Sequence, residues 1–179
     1  RGGLALLAFL IAAPLAQAQY GGAGSFVKIT SRADVADGYY VVANSDGTIA
    51  MSAINTNSFF VPSTVSPVND TLTDPPAVIV WLLQTNGNYG GFTIFNETSN
   101  KYVSYSGTAN AAYAAGAVNG TTGVWSFAWR SDLGCFAVSN VARPYRYLQY
   151  NTGSPRFSCY SNNASMQNLT LYKMSAATP

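Results

Sequence analysis

The stretch Phe92-Thr93-Ile94-Phe95-Asn96, Glu97-Thr98-Ser99-Asn100, Lys101-Tyr102-Val103-Ser104-Tyr105 decides the fold. An apolar strand ends on an Asn, a short polar turn follows, and a second strand begins. The same phrase occurs before it, as Tyr39-Tyr40-Val41-Val42-Ala43-Asn44, Ser45-Asp46-Gly47 and Ile49-Ala50-Met51-Ser52. It occurs again after it, as Phe136-Ala137-Val138-Ser139-Asn140, Val141-Ala142-Arg143-Pro144 and Arg146-Tyr147-Leu148-Gln149-Tyr150. Each unit closes on another apolar strand: Val78–Leu83, Val124–Trp129 and Leu169–Tyr172. A period of about 45 residues marks a repeat architecture in which each unit supplies part of one shared core.

Outside the first twenty residues no segment has the length and period of an ordinary helix. The apolar runs are short, rich in Val, Tyr, Phe and Thr, and bounded by Gly, Asn, Pro and Ser, which reads as all-β. Val103 is expected on one face of its strand, with Tyr102 and Ser104 on the other. Asn44, Asn96 and Asn140 end equivalent strands. Asn tolerates left-handed backbone and bonds its own turn, so these three are expected to be structural. Trp81, Trp125 and Leu171 hold matching places and are expected in the core. Ser58–Ala77 reads as the longest loop and Gly107–Gly123 as its smaller counterpart.

Charged residues make up only 9% of the 179 residues, and Glu97 is the chain's single glutamate. So few charges do not suit a protein built of solvent-exposed helices, and the apolar content is too high for disorder. A net charge of +2 gives no reason to expect a nucleic-acid partner. The charges are uneven: residues 33–89 carry five Asp and no Lys or Arg, whereas residues 133–179 carry Arg143, Arg146, Arg156 and Lys173 and no acid. Such a dipole suits self-association head to tail or contact with an anionic surface.

Residues 1–18 read as an export signal. Arg1 precedes the apolar run Leu4–Ala13, Pro14 breaks it, and Ala16-Gln17-Ala18 has the small-x-small form of a cleavage site. The run is too short for a stable membrane span. The expected organisation is a signal at 1–18, a short tether at 19–25, one domain at 26–174 and a tail at 175–179, in an extracellular or cell-surface setting. In that setting Cys135 and Cys159 would form a disulfide worth roughly 3 kcal/mol, with two buried free thiols as the alternative. Sequons stand at Asn69, Asn96, Asn119, Asn163 and Asn168, so these are the possible glycosylation sites.

Three repeats of this size, each with about four short strands, resemble the β-trefoil over roughly residues 26–174. The resemblance implies a barrel closed by strands from all three repeats, with hairpins capping one end. A β-sandwich is the alternative. Phe92–Asn96 followed by Asn100-Lys101-Tyr102-Val103 looks like the start of a ricin-type lectin repeat. The wording from Phe26–Ser31 through Asp37–Tyr40 to Leu169–Lys173 looks like modules of exported bacterial surface proteins.

The lectin resemblance implies a glycan or cell-surface polymer as partner, yet it breaks at the binding residues. Where the family carries Gln-x-Trp, this chain has Val80-Trp81-Leu82, Val124-Trp125-Ser126 and Leu171-Tyr172-Lys173. Where the family carries its sugar-binding Asp, Ser52, Ser104 and Gln149 stand. The candidates for ligand contact are therefore the aromatic and amide groups around those positions. They are Tyr102, Ser104, Tyr105 and Asn110 in the second repeat, and Tyr147, Gln149, Tyr150 and Asn151 in the third. A tyrosine offers a flat face and a polar tip to a sugar ring.

Catalysis has little raw material. The chain has no His, so the usual base near neutral pH is missing. Two cysteines without His do not complete a tetrahedral zinc site, and no phosphate-binding Gly-rich loop opens a helix. No catalytic residue, metal or cofactor is expected. The sequence reads as a non-catalytic extracellular binding module, with a structural subunit of an extracellular fibre, coat or matrix as the alternative. An inhibitor of the trefoil-type Kunitz class would have to use Ser58–Ala77 or Arg143-Pro144.

Overall fold

The computed structural model describes residues 19–175. The expected signal at 1–18 and the last four residues of the tail lie outside them. Among the described residues are fourteen strands and three single-turn 3-10 segments. No helix there is long and apolar enough to cross a membrane.

Six strands form a closed ring. They are β2 (Gly38–Asn44), β6 (Val80–Thr85), β7 (Phe92–Asn96), β10 (Trp125–Arg130), β11 (Cys135–Asn140) and β14 (Leu169–Met174). Each pairs antiparallel with the next, and β14 returns to β2 through Leu171↔Val42 and its neighbours. Closure leaves the ring without a free edge. Each repeat contributes two ring strands and one hairpin. The hairpins are β3 (Ile49–Asn55) with β4 (Phe60–Thr64), β8 (Lys101–Ser104) with β9 (Tyr113–Ala115), and β12 (Tyr147–Asn151) with β13 (Arg156–Tyr160). They meet at one end: Asn55 Nδ2 donates to the Ala112 carbonyl, Ala112 N–H to Ser58, and Cys159 N–H to Ala111. This is a β-trefoil. The expected loop at 58–77 instead carries β4 and β5 (Thr71–Thr73), and 107–123 carries β9.

Alternation along the strands builds two apolar layers. Tyr40 and Val42 face the barrel interior, with Met51, Phe60, Trp81, Val103, Trp125, Phe136, Leu148, Phe157 and Leu171. The odd residues Tyr39, Val41 and Ala43 face outward, yet they are buried under β1 (Ser25–Lys28) and β5, with Tyr20, Phe26 and Leu72. This second layer explains why all seven residues of β2 are buried. Trp81, Trp125 and Leu171 are core residues at equivalent places, each at most 1% exposed.

The strand-ending asparagines hold the turns together. Asn44 Oδ1 accepts from Thr48 and Ile49 N–H, Asn96 Oδ1 from Ser99, and Asn140 Oδ1 from Arg143. Their amide nitrogens also donate: Asn96 to the Ala77 and Val80 carbonyls, Asn140 to Thr122, and Asn44 to the Gln167 side chain. Gly47 closes the first of these turns at φ 74°. A side chain there would run into the Tyr172 hydroxyl, which donates to the Gly47 carbonyl at 2.8 Å.

Residues 19–25 are not a tether. Tyr20 is buried, its hydroxyl donates to the Pro75 carbonyl at 2.6 Å, and its ring meets Phe26 edge-on. Gly24 N–H donates to Asp74 Oδ1 at 2.7 Å, while Asp74 N–H returns a bond to the Gly24 carbonyl. The sequence shows flanking glycines and suggests flexibility. One buried aromatic residue among them is enough to dock the segment.

Candidate functional site

Repeat three departs from the other two in front of its last strand. Before β6 and β10 the chain makes a 3-10 turn, at Ala77–Ile79 and Gly120–Gly123. Before β14 it runs instead through Ser161–Asn168, a segment rich in amides. Gln167 takes the place of Thr122: Tyr150 and Gln167 exchange two backbone hydrogen bonds, as Tyr105 N–H bonds Thr122. The diverted segment opens a cleft of about 540 Å³. Its walls are the β10–β11 hairpin (Arg130, Leu133, Cys135), Gln149 of β12, residues 162–164 and 166–168, and Ser45 from the first repeat.

At the back of the cleft lies Gln149, 2% exposed. Its Nε2 donates to Asn168 Oδ1 at 3.0 Å, while its Oε1 is buried without a partner. A buried acceptor left unpaired costs about 1–3 kcal/mol. Gln167 is fixed by two side chains of the first repeat, accepting from Asn44 Nδ2 at 2.8 Å and donating to Asp46 at 3.1 Å. Asn163 Oδ1 accepts from the Ser165 N–H and hydroxyl. At the mouth Arg130 grips Asp132 with two bonds, at 2.9 and 2.6 Å. That fork holds the Asp132 carboxyl below its ordinary range, and the pair contributes little net charge. Leu133, 56% exposed, Ala164 and Met166 add apolar surface. The cleft thus offers amides, one hydroxyl and an apolar patch, the set that suits an uncharged polyol.

Neither cysteine is bridged. Cys159 belongs to the barrel core, whereas Cys135 lines the cleft, so the two side chains serve different surroundings despite their closeness in sequence. Burial raises both thiols above their ordinary range; for Cys135 the hydrogen bond with Asn168 pulls the other way. Neither is activated as a nucleophile. The described residues contain no group of three or more His, Cys, Asp or Glu placed to hold a metal.

The expected contact residues divide. Gln149 lines the cleft. Tyr105 is fully buried, its hydroxyl donating to Ala109 and Gly107, and Tyr150 is 4% exposed against Phe157. Both rings belong to the core and present no face to a ligand. Tyr102 is half-buried on Phe95, with ring centroids 4.6 Å apart, and Ser104 donates to the Thr122 carbonyl. Asn110 accepts from Arg146, whose guanidinium also covers Tyr105. Tyr147 is half-buried on β12, and Asn151 donates to the Tyr160 hydroxyl at 3.1 Å. None of these seven lines the cleft.

Among the sequons, Asn69, Asn119 and Asn163 are exposed and Asn168 is half-buried. Asn96 is fully buried with its amide nitrogen committed to two carbonyls, so it cannot carry a glycan in this fold. Arg130, Leu133, Met166 and Gln167 were not singled out by sequence. The signal that could have pointed to them is the dense run of amides at Asn162, Asn163, Gln167 and Asn168.

A scan against protein-family models gave no match, and neither did a search of curated proteins. Solved structures do match. A mosquitocidal holotoxin is similar at TM-score 0.63 and 12% identity, over 79% of this chain and 18% of the toxin. The Polyporus squamosus lectin, solved with the human-type influenza-binding epitope Neu5Acα2-6Galβ1-4GlcNAc, matches at TM-score 0.59 and 17% identity, over 78% of this chain and 50% of the lectin. The Rhizoctonia solani agglutinin matches at TM-score 0.59 and 16% identity, over 79% of this chain and 98% of its own. The chain therefore spans half or less of the first two proteins. These likenesses show the fold, a β-trefoil.

Proposed function

We propose that this chain is a non-catalytic carbohydrate-binding module, acting outside the cell, whose site is the cleft of the third repeat. The carrying observation is Gln149, a buried side chain with an unpaired Oε1 at the back of an amide-lined cleft. A ligand hydroxyl is the natural partner for such an acceptor, and the apolar patch of Leu133 and Met166 suits the C–H face of a sugar ring. Lectins of the same fold lend support by analogy. The export-like segment at 1–18 supports the extracellular setting.

Binding of the purified protein to an array of neutral and acidic glycans tests the reading. We expect a neutral glycan to bind. Leu133→Ala and Asn162→Gly are both at exposed rim positions, and glycine suits the left-handed backbone at 162 (φ 40°). They are expected to weaken it roughly five-fold each, about 1 kcal/mol, with unchanged melting temperature. An array without binding, or rim variants with undiminished affinity, overturns the assignment.

A further inference from the structure

The chain's single glutamate sits where the polypeptide enters the domain. Glu97 Oε2 accepts the Tyr20 N–H at 3.2 Å, and Glu97 Oε1 accepts the Tyr39 hydroxyl at 2.6 Å. Gln19, Tyr20, Ala77, Val80, Glu97 and Thr98 surround one small recess. Tyr20 is fixed there by its hydroxyl on Pro75 and by its ring between Phe26 and Tyr39. Two residues upstream the sequence reads Ala16-Gln17-Ala18, the small-x-small pattern that a signal peptidase cuts.

We propose that Glu97 is the receptor for a processed N-terminus beginning at Gln19. Hydrolysis by a signal peptidase adds water across the Ala18–Gln19 bond. The carboxylate leaves on Ala18 and an α-ammonium forms on Gln19. Consecutive Cα atoms lie about 3.8 Å apart, so docking Tyr20 holds the new ammonium within a residue's reach of the Glu97 carboxylate. A neutral peptide bond at the same place has no charge to offer. Cleavage therefore adds an ion pair at the point where the chain meets the domain, and the aromatic anchor at Tyr20 supplies the geometry. The first repeat carries the acids, yet the carboxylate facing the N-terminus is the lone acid of the β7–β8 turn.

Two measurements test the proposal. Expressed with residues 1–18 in a secreting host, the protein is expected to have Gln19 as its N-terminus by mass spectrometry; a first residue at or beyond Tyr20, or an uncut chain, overturns it. The chain starting at Gln19 is then compared with the same chain acetylated at its α-amine, each with and without Glu97→Gln. An exposed pair of this kind shifts the melting temperature of a domain this size by about 0.5–4 °C. Acetylation is expected to lower it by that amount when Glu97 is present and not at all in Glu97→Gln. An equal effect of acetylation in both backgrounds, or no effect in either, rejects Glu97 as the receptor.

Discussion

The indole nitrogen of Trp125 donates to the carbonyl of Val103 across 2.9 Å, with both residues fully buried. One repeat earlier Trp81 makes the same bond to Met51 at 2.8 Å. The two bonds tie a ring strand to the hairpin of its own repeat. In the third repeat Leu171 has no N–H to offer. Replacing Trp125 by Phe keeps most of the apolar volume and strands the Val103 carbonyl. The expected cost is roughly 1–3 kcal/mol, read from urea unfolding midpoints, with Trp81→Phe behaving alike.

Asn96→Ala removes bonds to Ala77, Val80 and Ser99 from a fully buried site. We expect a loss of about 2–4 kcal/mol from chemical denaturation. Asn119→Ala, at an exposed sequon with an ordinary φ of −101° and no side-chain cap bond, should change stability by less than about 0.5 kcal/mol. In a glycosylating host, peptide mapping of the folded protein is expected to find Asn96 unmodified.

Tyr150→Ala and Tyr105→Ala are expected to act on stability and not on recognition. Each empties part of the core and should cost about 3–5 kcal/mol, as for other large buried aromatics. Calorimetry separates these variants from the rim changes Leu133→Ala and Asn162→Gly, which should leave the transition in place.

Burial, helped by the hydrogen bond to Glu97, pushes the Tyr39 phenol up to about 12, with a backbone hydrogen bond from Tyr20 opposing. The folded state thus holds this proton more tightly than the unfolded chain, where a phenol titrates near 10. The stability it contributes is complete below pH 10 and is lost as pH rises from there toward 12. Tyr39→Phe should flatten part of that decline in urea midpoints across the window. The remaining slope belongs to the other buried tyrosines, Tyr40, Tyr150 and Tyr172 among them, which burial also raises.

The trefoil was legible because its determinants are local and repeated. Each strand-ending Asn bonds its own turn, and each apolar strand alternates. Places where distant segments meet were not legible. Tyr20 docks on residues 55 and 77 positions away, and Gln167 is held by Asn44 and Asp46 from the far end of the chain. Alternation also carries information on the tyrosines that the match to lectin positions overrode. Tyr105 and Tyr150 follow the core-facing Val103 and Leu148 by two residues, so the period of two already placed them inward. Gln149 was found through its match to a lectin position. The cleft around it depends on a diverted loop that the repeat pattern does not encode.

The pairing of β1 with β14 has a consequence for how the module can be joined to others. Phe26 lies opposite Met174, and Ser175 N–H donates to the Ser25 carbonyl at 2.9 Å. The entry and exit of the domain are therefore neighbours on one antiparallel ladder. A short linker can join them, so a circular permutant opened at an exposed hairpin such as 152–155 should keep the barrel. Copies strung head to tail along one polypeptide would each be attached at one point, where entry and exit strands lie side by side, so adding a copy need not thread chain across the barrel or the hairpins.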